Sequence, residues 1–212
     1  MNMYTKTGVA ICGLLATIAQ ASVTDIFAGE TVALSGVSVA EDPTVGGTVI
    51  EDYAQDFVIS DVTGAELYRG VLQSRITMRF DTGELDFRWR VRDVLDLPGQ
   101  ISSVAVNGYA GWEVGVEYKS DSLGDVGPSD ALRTADDDTI GYLFSGLLTP
   151  TDESKFFFAR THAFEYGLTG TARINLISGE FVELATWAPA VPAPGSMGML
   201  GLGGLVAMRR RR

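Results

Sequence analysis

Eight residues constrain this chain more than any others. From Leu85 to Arg92 it reads LDFRWRVR, apolar and charged residues alternating without a break. Successive side chains of a β-strand point to opposite faces, whereas a helix would scatter these four apolar residues around its circumference. The stretch therefore reads as a half-buried strand, with Leu85, Phe87, Trp89 and Val91 on the covered face. Just upstream, Ile76, Met78 and Phe80 alternate with Arg75, Thr77 and Arg79, and Asp81-Thr82-Gly83-Glu84 between the two is a turn signal. A two-residue Thr82-Gly83 turn pairs Phe80 with Leu85, Met78 with Phe87, Ile76 with Trp89 and Arg79 with Asp86. Its cost is Arg75 opposite Arg90, a like-charge pair. A three-residue loop would set Phe80 opposite Glu84 and mix the faces, so the two-residue register is expected.

The same reading extends along the chain. Gln55 to Asp61, Ile101 to Asn107, Trp112 to Lys119, Thr139 to Phe144 and Lys155 to Thr161 are strand candidates. Thr171 to Ile177 and Glu180 to Trp187 flank Ser178-Gly179, a second expected hairpin. No stretch of the body keeps a helical period over 12 or more residues, and no internal repeat is visible. Many short strands with glycine-rich turns predict an all-β fold, an antiparallel β-sandwich of jelly-roll-like winding. Ser120 to Asp138 reads as one long loop with six aspartates. Loops of that length are often functional or mobile.

Charge narrows the function classes. The chain's net charge is −11, but no acid precedes Asp25 or follows Glu183, and five of the 16 basic residues lie at the ends (Lys6 and Arg209 to Arg212). The body from Ser22 to Ala188 therefore holds 27 acids against 11 bases. Nucleic-acid binding needs clustered Lys and Arg, so nucleic acid is excluded as a partner. His162 is the single histidine, too few for a multi-histidine metal site, and no Gly-x-Ser-x-Gly elbow surrounds a serine. No phosphate loop, dinucleotide fingerprint or zinc spacing is present. No catalytic residue and no cofactor is assigned; with 27 acids, no particular carboxylate pair is marked out for glycoside hydrolysis. Asp130, Asp136, Asp137 and Asp138 are weak candidates for Ca²⁺, a hard ion that takes oxygen ligands, although the EF-hand pattern is missing. Arg75, Arg79, Arg88, Arg90 and Arg92 share one face of the hairpin. They read as a solvated or acid-paired strand face, with a cationic stripe for acidic polysaccharide as the alternative. Trp112, Tyr109 and Tyr118 could stack on sugars, but alternation sets Trp112 and Tyr118 beside Val114 and Val116, which favours the core.

The two ends carry targeting patterns. Residues 1–21 combine Lys6, an apolar run from Gly8 to Ala19, and Ala19-Gln20-Ala21, the small-x-small form accepted before a cleavage at Ser22. They read as a signal peptide, helical while uncleaved. Cys12 lies inside that run behind Ile11, which is too large for a lipoprotein signal, so the body from Ser22 is expected to hold no cysteine, disulfide or thiol nucleophile. At the other end, Pro189 to Pro194 read as a Pro/Ala linker of extended backbone. Met197 to Met208 are apolar, and four arginines, Arg209, Arg210, Arg211 and Arg212, close the sequence. Twelve helical residues span roughly 18 Å against a hydrocarbon core of ~30 Å, so this transmembrane helix is short. Its four arginines are expected to act as a cytoplasmic anchor, because basic residues stay on that side.

Val191-Pro192-Ala193-Pro194-Gly195-Ser196, then a Gly/Leu-rich apolar run, then an arginine cluster resembles the PEP-CTERM sorting signal of exported bacterial proteins. Ala193 stands where that family's name-giving Glu would sit. The resemblance covers about the last 22 residues. It implies, as partners, signal peptidase and the export machinery, an exosortase-like membrane protease, and the membrane itself through the C-terminal segment. The implied layout is a signal peptide (1–21), an ectodomain (22–188) and a sorting signal (189–212), with transient anchoring at the inner membrane before delivery to the cell surface or extracellular matrix. The expected role is structural or interactive, without catalysis. The alternatives are a carbohydrate-binding module for exopolysaccharide and a polysaccharide hydrolase.

Overall fold

The computed structural model of the chain describes residues 22–93 and 96–190. Residues 1–21, read as signal peptide with Ala19 and Ala21 at its cleavage site, lie outside the described residues. So do the sorting motif from Val191 to Ser196, the apolar run 197–208, and the expected cytoplasmic anchor of Arg209, Arg210, Arg211 and Arg212. Among the described residues no helix is long and apolar enough to cross a membrane. Twelve strands follow in chain order: β1 (Thr24–Asp25), β2 (Thr31–Ala33), β3 (Gly47–Ser60), β4 (Glu66–Arg79), β5 (Leu85–Arg92), β6 (Ile101–Val106), β7 (Gly115–Tyr118), β8 (Asp130–Arg133), β9 (Ile140–Leu148), β10 (Phe157–Arg160), β11 (Tyr166–Leu176) and β12 (Phe181–Pro189).

They form two six-stranded antiparallel sheets. The first runs β1-β7-β10-β5-β4-β3 and the second β12-β11-β6-β9-β8-β2. The expected all-β antiparallel sandwich is what the chain adopts. Three ribbons nest within it: β8 with β9, β7 with β10 and β6 with β11, alternating between the sheets. β12 stays beside β11 rather than closing a fourth ribbon with β5, whose neighbours are β10 and β4. The core between the sheets gathers Tyr68, Leu72, Ile76, Phe87, Trp89, Tyr109, Tyr142 and Phe157, all almost fully buried. The Phe157 and Tyr142 rings lie 4.6 Å apart across the sheet interface.

The β4–β5 hairpin differs from its expected register by two residues. Met78 faces Leu85, Ile76 faces Phe87 and Ser74 faces Trp89, and Arg79 N–H bonds to Glu84 O at 2.9 Å around a four-residue loop. A two-residue turn would require a left-handed backbone at Thr82, costly for a β-branched residue; the longer loop assigns φ 75° to Gly83 instead. A shift of two preserves the faces, so Ile76, Leu85, Phe87, Trp89 and Val91 are buried as expected, although Met78 at the end of the ladder is exposed, and the like-charge pair becomes Arg75 opposite Arg88. Phe80, freed from the ladder, is exposed.

The larger correction concerns the charged face of β5. Asp86, Arg88 and Arg90 are as buried as the apolar face, so the strand is covered on both sides. A second small core of Val37, Val45 and Phe158 lies on this outer side. The covering chain is a 3₁₀ turn at Pro43–Val45, capped by Asp42, whose carboxylate accepts Thr44 N–H at 3.0 Å. Arg88 Nη2 donates to Val45 O (2.8 Å) and Arg160 Nη2 to Thr44 O (3.0 Å), pinning the turn to the sheet. Alternation assigns residues to faces but carries no information on a remote segment that folds over one of them.

Other boundaries move for local reasons. β7 begins at Gly115, not Trp112, because Trp112 N–H closes a turn on Tyr109 O. The stretch 120–138 is not one loop: Asp130–Arg133 pairs with both β2 and β9 as β8. The expected linker loses its first residues to the sandwich, since Pro189 ends β12 opposite Tyr166 and Ala190 N–H bonds to Glu165 O.

Candidate functional site

A cleft of about 540 Å³ opens at one end of the sandwich. Its walls come from the turn after β1 (Ile26 to Ala28), the approach to β7 (Gly111 to Val114) and the residues after β10 (Thr161, His162). Arg133, at the end of β8, organises it. Nη1 donates to Ile26 O at 3.1 Å, and Nη2 to Tyr109 O at 3.0 Å and Trp112 O at 2.7 Å. Nε pairs with Asp137 Oδ1 at 2.9 Å. A planar guanidinium with five donors can hold three loops at once, which an ammonium cannot.

The acidic run completes this scaffold. Asp138 Oδ1 accepts the Gly108 and Ala110 N–H groups at 3.1 and 3.2 Å, and Asp137 Oδ2 accepts Gly111 N–H at 3.1 Å. Asp136 accepts Thr134 Oγ1 and Asp138 N–H, and those hydrogen bonds hold its carboxyl below the usual range. Asp130 sits apart on β8, accepting Ser129 Oγ at 2.7 Å. The four aspartates considered for Ca²⁺ are thus not brought together as one ligand set. Among the described residues no group of three or more His, Cys, Asp or Glu side chains has metal-site geometry. The run instead positions the loop that carries Trp112, a role sequence spacing alone could not show.

Trp112 is half-buried against the core and Phe27, across the cleft, is 64% exposed. Asp25 and Glu113 supply acceptors. His162 Nδ1 lies 2.8 Å from Glu84 Oε1, and Nε2 3.7 Å from Glu113 Oε2. Burial would raise Glu84, but the hydrogen bonds from His162 and Thr82 and the Arg79 charge outweigh it and hold the carboxyl below the usual range. Of the three aromatics considered for sugar stacking, Tyr109 is fully buried, edge-on to Phe87 and Trp89, and Tyr118 packs on the core with its hydroxyl on Ser35 O. Trp112 alone of the three reaches the cleft. Phe27 and His162 join it only through the fold, since neither sits in a patterned stretch.

The arginines do not form an open stripe. Arg79 and Arg90 are buried on Glu84 and Glu153, and Arg88 on Asp86. Arg92 pairs with its neighbour Asp93 and Arg75 with Asp52. Glu117 is buried as well, accepting the N–H groups of Ser35, Gly36 and Tyr118; burial outweighs these bonds and pushes its carboxyl up.

Comparison with known families decides the C-terminal segment. Residues 190–212 match the family model of the PEP-CTERM protein-sorting motif. The chain carries a PEP-CTERM sorting signal. The match runs through Ala193, so PAP in place of PEP leaves it intact, and it extends over Arg209, Arg210, Arg211 and Arg212 to the last residue. The motif marks an exported protein that is processed at the membrane by an exosortase-type protease. No curated protein and no solved structure matches the chain.

Proposed function

We propose that the sandwich is a non-catalytic interaction domain, released by exosortase-type processing and delivered to the cell surface or extracellular matrix. The sorting motif at residues 190–212 carries this reading. Signal peptidase cleavage before Ser22 and a brief hold by the 197–208 segment, with Arg209, Arg210, Arg211 and Arg212 on the cytoplasmic side, complete the route. The nested ribbons support a jelly-roll-like description of the delivered domain. The direction of two carboxyl shifts bears on the hydrolase alternative alone. Glycoside hydrolysis needs a carboxylic acid held protonated at working pH beside a second carboxylate. Beside the cleft Glu84 is displaced the opposite way, and Glu117, which is displaced upward, is buried on backbone donors. The test is a chain tagged at the C-terminus in a host with and without its exosortase. Loss of the tag from the surface form only when the protease is present is expected; a surface protein that keeps the tag overturns the processing.

A second reading has its own observation. The cleft sets an exposed Phe27 and a half-buried Trp112 beside Asp25, Glu113 and His162. Aromatic faces for the apolar side of a sugar ring and carboxylates for its hydroxyls are what a glycan subsite requires. Binding of the purified domain to neutral polysaccharides, abolished in Trp112→Ala and Phe27→Ala, supports a carbohydrate-binding module. Undiminished binding in both variants rules this cleft out.

A further inference from the structure

A second concavity, about 350 Å³, lies on the outer face of the first sheet, and its chemistry is opposite to that of the cleft. It is lined by Arg75 of β4, Arg88 of β5, Lys119 just after β7, and Phe156, with Asp121, Ser122 and Leu123 at the rim. In a body holding 27 acids against 11 bases, three cations around one small cavity is a local reversal of sign.

The arrangement is costly as it stands. Arg75 and Arg88 are directly opposite on adjacent antiparallel strands, the position where like charges repel most. Arg88 is 7% exposed, and its hydrogen bonds to Val45 O and Asp86 leave through Nη2. Its Nε is buried without a partner, and so is Arg75 Nε. A buried donor without an acceptor forfeits its hydration. The Arg75 guanidinium stacks 4.5 Å over Phe156, which fixes its plane beside the cavity. Burial lowers Lys119 below the ordinary lysine value against the pull of Asp121, with Arg88 adding to the lowering. The nearby acids offset only part of the field: Asp52 pairs with Arg75 and Asp121 with Lys119, while Asp86 is divided between Arg88 and Arg160, which leaves four cations on three carboxylates.

We propose that the cavity between Arg75, Arg88 and Lys119 binds a sulfate- or phosphate-type oxyanion. Two guanidinium forks and an ammonium match the several acceptor oxygens of such a group, and its charge relieves the Arg75–Arg88 repulsion. The group is either a free anion or an ester carried on a polymer. This inference does not depend on the glycan reading of the cleft, which lies at a different place in the fold and uses no residue of this cavity.

The test is isothermal titration of the domain with sodium sulfate and sodium phosphate at constant ionic strength set with chloride, alongside dextran sulfate and uncharged dextran. Saturable binding of at least one sulfate or phosphate probe is expected, weakened about tenfold or more in Arg75→Gln and in Lys119→Gln, each of which removes a charge-assisted contact. Both side chains are only partly buried, so both variants should fold, which circular dichroism checks. Arg173→Gln, on the exposed face of β11, is expected to bind as the parent does. Inorganic anion binding identifies a free-ion site, and binding of dextran sulfate alone identifies an ester site; both support the proposal. It is overturned if no sulfate or phosphate probe binds saturably, or if Arg75→Gln and Lys119→Gln bind like the parent.

Discussion

Trp89 Nε1 donates to Thr186 Oγ1 at 2.7 Å in the middle of the core, joining β5 of one sheet to β12 of the other. Ser74 of β4 shares a 3.1 Å hydrogen bond with the same hydroxyl. All three residues are almost fully buried, so neither group can turn to water instead. A polar bridge of this kind fixes how the sheets sit on each other, because apolar side chains tolerate sliding and a hydrogen bond does not. Thr186→Val keeps the shape but strands the indole N–H. A loss of about 1–3 kcal/mol is expected in urea unfolding, with a changed Trp89 emission. A variant as stable as the parent would show the bridge to be energetically idle.

Asp86 on β5 is wholly buried and shared by Arg88 (3.0 Å) and Arg160 (3.3 Å). Its removal leaves two cations on the covered side of the sheet without a counter-charge. Asp86→Ala is expected to cost about 3–5 kcal/mol, and Asp86→Asn less. Thermal unfolding of the two variants checks the order; the covering turn at Pro43–Val45 should become protease-sensitive in the first.

Arg133→Lys tests the scaffold of the cleft. Lysine keeps the charge and loses the fork that reaches Ile26, Tyr109, Trp112 and Asp137. A destabilisation of about 2–3 kcal/mol is expected, together with faster amide exchange at residues 109–113 than in β4 and β5. Uniform exchange across the domain would contradict a local role.

Glu117 predicts a pH dependence. Its carboxyl titrates above the ordinary glutamate value in the folded chain because it is buried, so the native state takes up this proton before the unfolded chain does. The stability tied to Glu117 is therefore complete below the unfolded pKa and is lost as pH rises through the folded one. Glu117→Gln abolishes that titration, and its amide cannot accept the Ser35 N–H as the second carboxylate oxygen does. The gap in unfolding free energy between parent and variant should be widest in acid and shrink toward neutral pH. A gap independent of pH would show that Glu117 does not titrate within that window.

The class of the fold, most of its strands and the sorting signal can be read from the linear chain. Period-two alternation is a local property of the backbone, so Phe87, Trp89 and Val91 are legible as one buried face from eight residues. The sorting motif is equally legible, because a membrane protease reads a linear pattern and PAP, apolar run and arginines supply it in order. Whatever depends on a second segment belongs to the folded molecule. The register of β4 against β5 turns on whether Thr82 can adopt a left-handed backbone. The burial of Asp86 and Arg88 comes from the Pro43–Val45 turn, about forty residues upstream, and that of Arg90 from the segment 153–156, both folding over a face that alternation marks as polar. The cleft joins Phe27, Trp112, Arg133 and His162 from four separate stretches. The acidic run at 136–138, which composition suggests for a cation, serves backbone N–H groups of a loop it meets only in the folded chain. Local pattern sets which way a side chain points; what it meets there is settled by the pairing of distant strands.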